Sequence, residues 1–466
     1  MCGGFLYFSN RKRLGQIGNR EGLAAVSLAW IVLTFFGALP LTIWDGTVNG
    51  SQIGLTEAYF ETMSGFTTTG ATIIEDIQAL PHGLLFWRSF THWLGGMGIV
   101  VLWVAILPAL GPGSYQLFRS EMPGLSAERI RPRIGETAKI LWGIYCLISL
   151  VELVLLWIGP MDLFNASCHT FGTLATGGFS TYNDSIAHFD SWYVDMVIIV
   201  FMFLAGCNFG LYYLVFTGRI KDVLRNTEIR FYCLVIVVSV LFLMVMLNWH
   251  GLQRPEYSTM SDKEAQVARD HFNEQNAKIE TPKETFRVAL FQAVSITTTT
   301  GYGTADFDMW PDSCRILLVM LMFFGGCAGS TGGGLKQIRI ILIVKLGFRE
   351  LRRAIQPNAV FPIKIGKSTL DESILSSVMG MFLLAIVIFA GSTLFMSILG
   401  LDIVSAATSV LASMFNIGPG LAKVGSIQNY AFIPAAGKWL LCACMLLGRL
   451  EFVCVMALFQ PLLYRK

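Results

Sequence analysis

Charge is scarce in this chain. Only 14% of its 466 residues are Asp, Glu, Lys or Arg, against 54% hydrophobic residues, whereas a soluble domain carries about a quarter charged residues. That balance excludes an ordinary soluble globular fold. Metal and redox signatures are missing too. The ten cysteines form no CxxC pair. Cys146, Cys207, Cys233, Cys327, Cys442, Cys444 and Cys454 fall in apolar stretches, so they read as small packing residues rather than a disulfide or zinc framework. The six histidines show no HExxH pattern, and there is no complete phosphate-binding loop or nucleophile elbow. Without paired carboxylates, a metal cluster or a nucleophile dyad at one depth, the chain is not expected to be an enzyme. No organic cofactor and no nucleic-acid partner is expected either. A cleavable signal peptide is also lacking: residues 1–9 are short and apolar, and Arg11, Lys12 and Arg13 follow at once. The order reads as the tail of a span followed by a basic cytoplasmic stretch.

What is abundant is apolar length. The mean hydropathy is +0.59, and long apolar runs recur at 24–41, 99–110, 141–158, 194–216, 231–247, 374–399 and 439–463. These are membrane-span signals. The sequence also resembles itself. Thr67-Thr68-Thr69-Gly70-Ala71-Thr72, Ala175-Thr176-Gly177-Gly178-Phe179-Ser180, Thr298-Thr299-Thr300-Gly301-Tyr302-Gly303 and Phe415-Asn416-Ile417-Gly418-Pro419-Gly420 align on Gly70, Gly178, Gly301 and Gly418. Each follows a short amphipathic stretch, at 56–64, 162–171, 283–294 and 402–414. Such stretches are too short to cross a hydrocarbon core of about 30 Å. The expected unit is therefore a long helix, a short re-entrant helix, a glycine-containing loop and a second long helix.

The fold expected is an all-α polytopic membrane protein of four pseudo-symmetric pore repeats around one central pore. Its boundaries are 1–20 for a cytoplasmic N-terminal segment, 21–110 for repeat 1, 136–217 for repeat 2, 229–347 for repeat 3 and 372–463 for repeat 4. Irregular backbone at membrane depth is tolerated only against protein or a water-filled cavity, and four such loops argue for one shared path. Lys and Arg cluster before, between and after the units, at Arg119–Arg133, Arg219–Arg230, Lys336–Lys367, Arg465 and Lys466. The loop-bearing segments 45–87 and 159–194, by contrast, hold none. The positive-inside rule puts the termini in the cytoplasm and the loops in the outer half. The polar stretch 248–283 interrupts repeat 3 and reads as an extracellular, partly helical insertion.

A dehydrated monovalent cation needs several oxygen ligands without a trapping charge, which backbone carbonyls supply. The expected potassium ligands are the carbonyls of Thr68, Thr69, Gly70, Thr176, Gly177, Gly178, Thr299, Thr300, Gly301, Asn416, Ile417 and Gly418. None is acidic, which disfavours a divalent-ion site. The short helices direct their partially negative C-terminal ends at the loops, and Asp162 and Asp402 suit the opposite ends. A second segment, 323–336, places Gly325, Gly326, Gly329, Ser330, Thr331, Gly332, Gly333, Gly334 and Lys336 where repeat 3 should continue as helix. Six glycines cannot sustain a helix interior. The segment is either a plug beneath the filter or a close-packing stripe of small residues. Arg449 lies inside the last apolar run. It either lines the inner mouth, pairs with Glu451, Glu152 or a loop carbonyl, or snorkels from a helix end.

These residues resemble the Trk/Ktr/HKT superfamily of potassium transporters, most closely its bacterial TrkH-like branch. The resemblance rests on SGFTTTGAT at 64–72, WLGGMGIVVL at 93–102, ATGGFST at 175–181, TTTTGYG at 297–303, FGGCAGSTGGGLKQIRI at 324–340, NIGPGL at 416–421 and LLGRLE at 446–451. It implies filter glycines at Gly70, Gly178, Gly301 and Gly418, an intramembrane gating loop at 325–334 and an inner-pore arginine at Arg449. It further implies a homodimer in the bacterial inner membrane with a cytosolic nucleotide-binding regulatory subunit. Relatives that favour sodium carry serine in the first loop, so Gly70 implies potassium. Members of the TrkH-like branch begin with an extra helix pair, of which residues 1–20 are the expected end. Channel-like potassium uptake is the function implied. The alternative is a carrier coupled to protons or sodium, with Asp195, Glu152 or His92 as proton relays.

Overall fold

The computed structural model describes residues 19–48, 51–106, 134–254, 261–366 and 368–451. The basic stretches at 11–13 and 119–133, together with Arg465 and Lys466, lie outside them. The described chain is mostly helical, with two two-residue hairpins as its named strand pairs.

The helices fall into four successions. The first is α1 (Asn19–Ile43), the short α2 (Leu55–Phe66) and α3 (His82–Ile106). The second is α4 (Ile134–Ile158), the short α5 (Leu163–Leu174), α6 (Trp192–Ala205) and α7 (Phe209–Phe216), with the five-residue α8 (Ile220–Leu224) as a connector. The third is α9 (Thr227–His250), α10 (Asp262–Ala277), α11 (Pro282–Thr297), α12 (Asp312–Phe323) and α13 (Gln337–Ile355). The fourth is α14 (Glu372–Ile398), the short α15 (Ile403–Met414) and α16 (Ala435–Arg449). Four helices are long and apolar enough to cross a membrane among the described residues: Val26–Ile43, Lys139–Ile158, Thr227–His250 and Glu372–Ile398. Their outward residues, such as Leu150, Leu241 and Val387, are exposed and apolar, as lipid-facing positions must be.

Each of α2, α5, α11 and α15 packs between the helices flanking it and a helix of the preceding succession. Thus α5 meets α3, α11 meets α6, α15 meets α12 and α2 meets α16. The last contact closes the succession on itself.

The expected single span at 194–216 is instead two helices, α6 and α7, meeting at 97°. The break has a local cause and a long-range one. Asn208 caps α7 by accepting from the Gly210 N–H at 2.7 Å, which favours a new helix start. The Gly206 carbonyl accepts from Cys327 N–H at 2.8 Å instead of continuing a helical ladder. A Cβ at Gly206 would also meet the Tyr232 hydroxyl at 2.5 Å. The polar insertion forms α10, started by a capping box of Ser261 and Glu264. It docks on the loop after α11: the Gln275 side chain accepts from Asp306 N–H at 2.9 Å.

Candidate functional site

The four short helices end alike. The N–H of the residue before each aligned glycine bonds back to the carbonyl five residues earlier: Thr69 to Ser64 at 2.8 Å, Gly177 to Gly172 at 2.7 Å, Thr300 to Ser295 at 2.9 Å and Ile417 to Ala412 at 2.9 Å. The residue before that N–H closes a shorter turn: Thr68 to Gly65, Thr176 to Thr173, Thr299 to Ile296 and Asn416 to Ser413. This pair of bonds is the Schellman C-cap, which needs a left-handed residue. Thr68, Thr176, Thr299 and Asn416 supply it at φ of 53°, 53°, 61° and 55°. Glycine is the usual residue there. A β-branched threonine in that region is strained and persists only where its surroundings over-determine it. Thr67 and Thr69 share a hydroxyl hydrogen bond of 2.8 Å, as do Thr298 and Thr300.

Two residues on, the aligned glycines are left-handed again, at φ of 82°, 80°, 83° and 97°. Each lies against the next loop. A Cβ at Gly70 would stand 2.2 Å from the Gly177 carbonyl oxygen. One at Gly178 would stand 2.1 Å from Thr300 O, at Gly301 1.9 Å from Ile417 O, and at Gly418 2.6 Å from Thr69 O. The contacts run from loop one to two, three, four and back to one. All four glycines also line one cavity, beside Arg88, Tyr182, Ser426 and Tyr430. The twelve residues singled out for cation binding are thus brought together in one ring, and none carries a charge.

The 324–336 segment lies against the loops' opposite side. The Phe324–Leu335 bridge joins its ends, with Gly325 N–H donating to Leu335 O at 2.8 Å. Gln337 donates to the carbonyls of Gly326, through its N–H at 3.2 Å, and Gly325, through its side chain at 2.7 Å. The segment touches three loops. Gly333 N–H donates to Thr299 Oγ1 at 2.7 Å, Thr331 Oγ1 stands 3.5 Å from Thr176 Oγ1, and a Cβ at Gly333 would meet Phe415 O at 2.5 Å. Gly329 O accepts from Phe209 N–H and Ser330 N–H bonds to Cys327 O. Gly329 and Gly334 take φ of 72° and 70°. Lys336, buried, donates to Gly332 O. Glu228 at the start of α9 accepts from Ala328 N–H at 2.8 Å and Ile338 N–H at 3.2 Å, fixing both limbs of the segment.

Arg449 is partnered by backbone carbonyls, one in the 324–336 segment and one in a helix. Its guanidinium donates to Thr331 O at 2.7 Å and to Gly95 O of α3 at 2.9 Å, and the residue is 1% exposed. Glu451 pairs with Arg339 instead, at 2.5 Å. Asp195 is held by Arg287 at 2.6 Å. His92 stacks on Phe179 behind the second loop, with ring centroids 4.1 Å apart. Glu152 is fully buried, and neither of its carboxylate oxygens has a hydrogen-bond partner among the described residues. Sequence reasoning missed the buried Glu61–Arg88 pair, 2.7 Å apart between α2 and α3. The signal was present: ionisable residues at membrane depth mark a partner or a path.

A protein-family profile for TrkH, described as a cation transport protein, matches residues 1–463. The chain belongs to the TrkH family. The Trk system potassium uptake protein TrkH of Escherichia coli K12 is 42% identical over 466 residues, covering 100% of this chain and 90% of that protein. TrkG of the same organism is 32% identical, covering 99% of this TrkH-family chain and 89% of its own length. The crystal structure of the potassium transporter TrkH from Vibrio parahaemolyticus superimposes with a TM-score of 0.84 at 37% identity, covering 100% of this chain and 90% of that one.

Proposed function

We propose that this membrane protein takes up potassium through a selective, channel-like pore. The observation that carries the reading is the closed ring of glycine-to-carbonyl contacts from Gly70 to Gly177, Gly178 to Thr300, Gly301 to Ile417 and Gly418 to Thr69. Alternating left-handed and ordinary residues turn successive carbonyls to one side, so four such loops present stacked oxygens to a common axis. Those oxygens replace the hydration shell of a monovalent cation. The ligands are the carbonyls of residues 68–70, 176–178, 299–301 and 416–418. The short helices are re-entrant and aim their negative ends at the ion. Relatives sharing 42% and 38% of the sequence are potassium uptake proteins, which favours potassium as the cargo.

Segment 325–334 is the gate. It lies across the base of the ring and is tied to the second, third and fourth loops and, through Arg449, to α3. The chain works as a homodimer in the bacterial inner membrane with cytoplasmic termini, and a cytosolic nucleotide-binding subunit moves the gate. A coupled carrier is the second reading, favoured by the unpartnered buried carboxylate of Glu152. Currents recorded from the purified protein in bilayers separate the two. Ohmic unitary currents carried by potassium establish the pore; electroneutral flux without them establishes the carrier.

A further inference from the structure

The four loops are not braced alike. Nine residues before the aligned glycines stand Glu61, His169, Gln292 and Ser409; two residues after them stand Thr72, Ser180, Gly303 and Gly420. In the first unit Glu61 reaches forward from α2 to the outgoing strand of its own loop. It accepts from Thr72 Oγ1 at 2.9 Å and from Ile73 N–H at 3.0 Å. In the second, the His169 ring meets Ser180 Oγ at 3.1 Å, a neutral version of the same brace. The third and fourth units have glycine at the receiving position, so no side chain there can be held. Ser295 binds Tyr302 O at 2.7 Å, and Tyr430 binds Gly418 O at 2.7 Å, in its place.

Only the first brace is ionic, and it is shared between units. Arg88 donates to Glu61 Oε1 at 2.8 Å through Nε and stands 2.7 Å from it through Nη2. It also stands 4.3 Å over the Phe179 ring and 3.5 Å from Ser180 O, both just past Gly178. Glu61 and Arg88 are 1% and 2% exposed. Arg88 nevertheless borders the cavity with all four glycines. A buried pair of this kind contributes specificity of arrangement more readily than net stability.

We propose that the Glu61–Arg88 pair is a specificity-determining positioning device for the ion path, setting the separation of the first and second loops at their outer end. It rests on the pore reading above. Discrimination between monovalent cations depends on how closely carbonyls can approach the ion and how freely they move. Glu61 holds the strand leaving Gly70, and Arg88 ties that strand to the one leaving Gly178. Glu61 also neutralises a guanidinium that would otherwise repel cations entering from outside.

The test is flux of potassium and sodium into vesicles containing the full chain, with recovery of folded protein followed by size-exclusion chromatography. Glu61→Gln leaves the arginine charge uncompensated and is expected to lower flux of both ions severalfold. Glu61→Gln combined with Arg88→Gln removes both charges. It is expected to recover flux but to lower the potassium-to-sodium ratio at least threefold. Ser409→Ala, at the matched position of the fourth unit, is expected to leave the ratio unchanged. A double variant with the parent ratio overturns the proposal. Should that variant fail to fold, Thr72→Val decides: it spares the ion pair but removes the strand's side-chain bond to Glu61, leaving the Ile73 N–H bond, so the ratio is expected to fall by less than in the double variant, and an unchanged ratio overturns the proposal equally. Gly70→Ser serves as the separate check on the pore. If it too leaves the ratio unchanged, the pore assignment fails rather than the brace.

Discussion

Removing the charge of Arg449 should open the path rather than destroy it. Its two hydrogen bonds, 2.7 Å to Thr331 O in segment 325–334 and 2.9 Å to Gly95 O in α3, tie the segment proposed as the gate to the first unit. Hydrogen bonds from a charged group are worth about 1.5–3 kcal/mol each. Loss of the bond to Thr331 alone shifts the balance between seated and released segment by about tenfold or more. A second effect has the same sign. A fixed positive charge about 8 Å from a passing cation raises its energy by about 2 kcal/mol at an effective dielectric near 20. Arg449→Gln keeps a polar side chain that can still satisfy one carbonyl, and therefore separates charge from packing. Potassium flux per folded protein in vesicles should rise several-fold to tenfold, while the potassium-to-sodium ratio stays at the parent value. Unchanged flux in a normally folded glutamine variant would refute the barrier, and unchanged flux in a normally folded Arg449→Ala would refute the tether. Loss of folded protein, in the glutamine variant as well as in alanine, would show that Arg449 holds the fold instead.

Gly70→Ser should lower the preference for potassium over sodium, since its Cβ would stand 2.2 Å from Gly177 O and push apart two loops of the ring; reversal potentials with each cation measure it. Shortening the 329–333 stretch by a few residues should raise flux and spare the ion preference, and reduced flux in a folded deletion would assign the segment to packing. Glu228→Ala should also raise flux, because it frees Ala328 N–H and Ile338 N–H at both limbs of the segment; amide exchange at those residues reports the release directly. In the loop after α11, burial first, and then the neighbouring Asp306 charge, push the Asp308 carboxyl up to about 6, against the opposing pull of Ala422 N–H and Arg315. A carboxyl whose folded value is raised contributes stability in acid that is lost as pH rises through that value. The melting temperature of the parent should therefore fall between pH 5 and pH 7 more than that of Asp308→Asn, and equal slopes would dismiss the group.

The helical class could be read from composition and apolar length, because lipid leaves a chain few ways to satisfy its backbone. The ends of the short helices could be read as well. Asp162 accepts from Phe164 N–H at 3.1 Å and Asp402 from Ser405 N–H at 3.0 Å, and both caps announce themselves as an acid before an apolar run. The bend between α6 and α7 was hidden because its flanks are uniformly apolar. Three residues, Gly206, Cys207 and Asn208, carry it, and what fixes it is a contact with a segment more than a hundred positions away, through Cys327. The partner of Arg449 was hidden for the same reason. A backbone carbonyl has no signature in a sequence, so an arginine beside Glu451 invites the wrong pairing, and Arg339 takes that glutamate instead.

The pattern of what stays hidden follows from the symmetry. Each glycine loop repeats its Schellman turn and its two left-handed residues; the proposed filter asks all four to present carbonyls to one axis, so those features recur and are visible by self-comparison. The side chains behind the loops are under no such demand. They need only hold each loop against different neighbours: Glu61 and Arg88 between the first and second, Tyr302 donating to His169 O and Phe179 O between the second and third, Asp308 accepting from Ala422 N–H and Asp306 from Ser426 Oγ between the third and fourth, and Asn416 donating to Thr69 Oγ1 between the fourth and first. Ion pairs also cross two other seams, Arg287–Asp195 between the third and second units at 2.6 Å and Lys438–Glu57 between the fourth and first at 3.0 Å, but Glu61–Arg88 is the pair with both side chains buried to 2% exposure or less and in direct contact with the strands leaving the loops. The filter reading makes equal demands on the four glycines. The unequal seams then place the largest effect on ion preference, among residues that never touch an ion, at the edge between the first and second units.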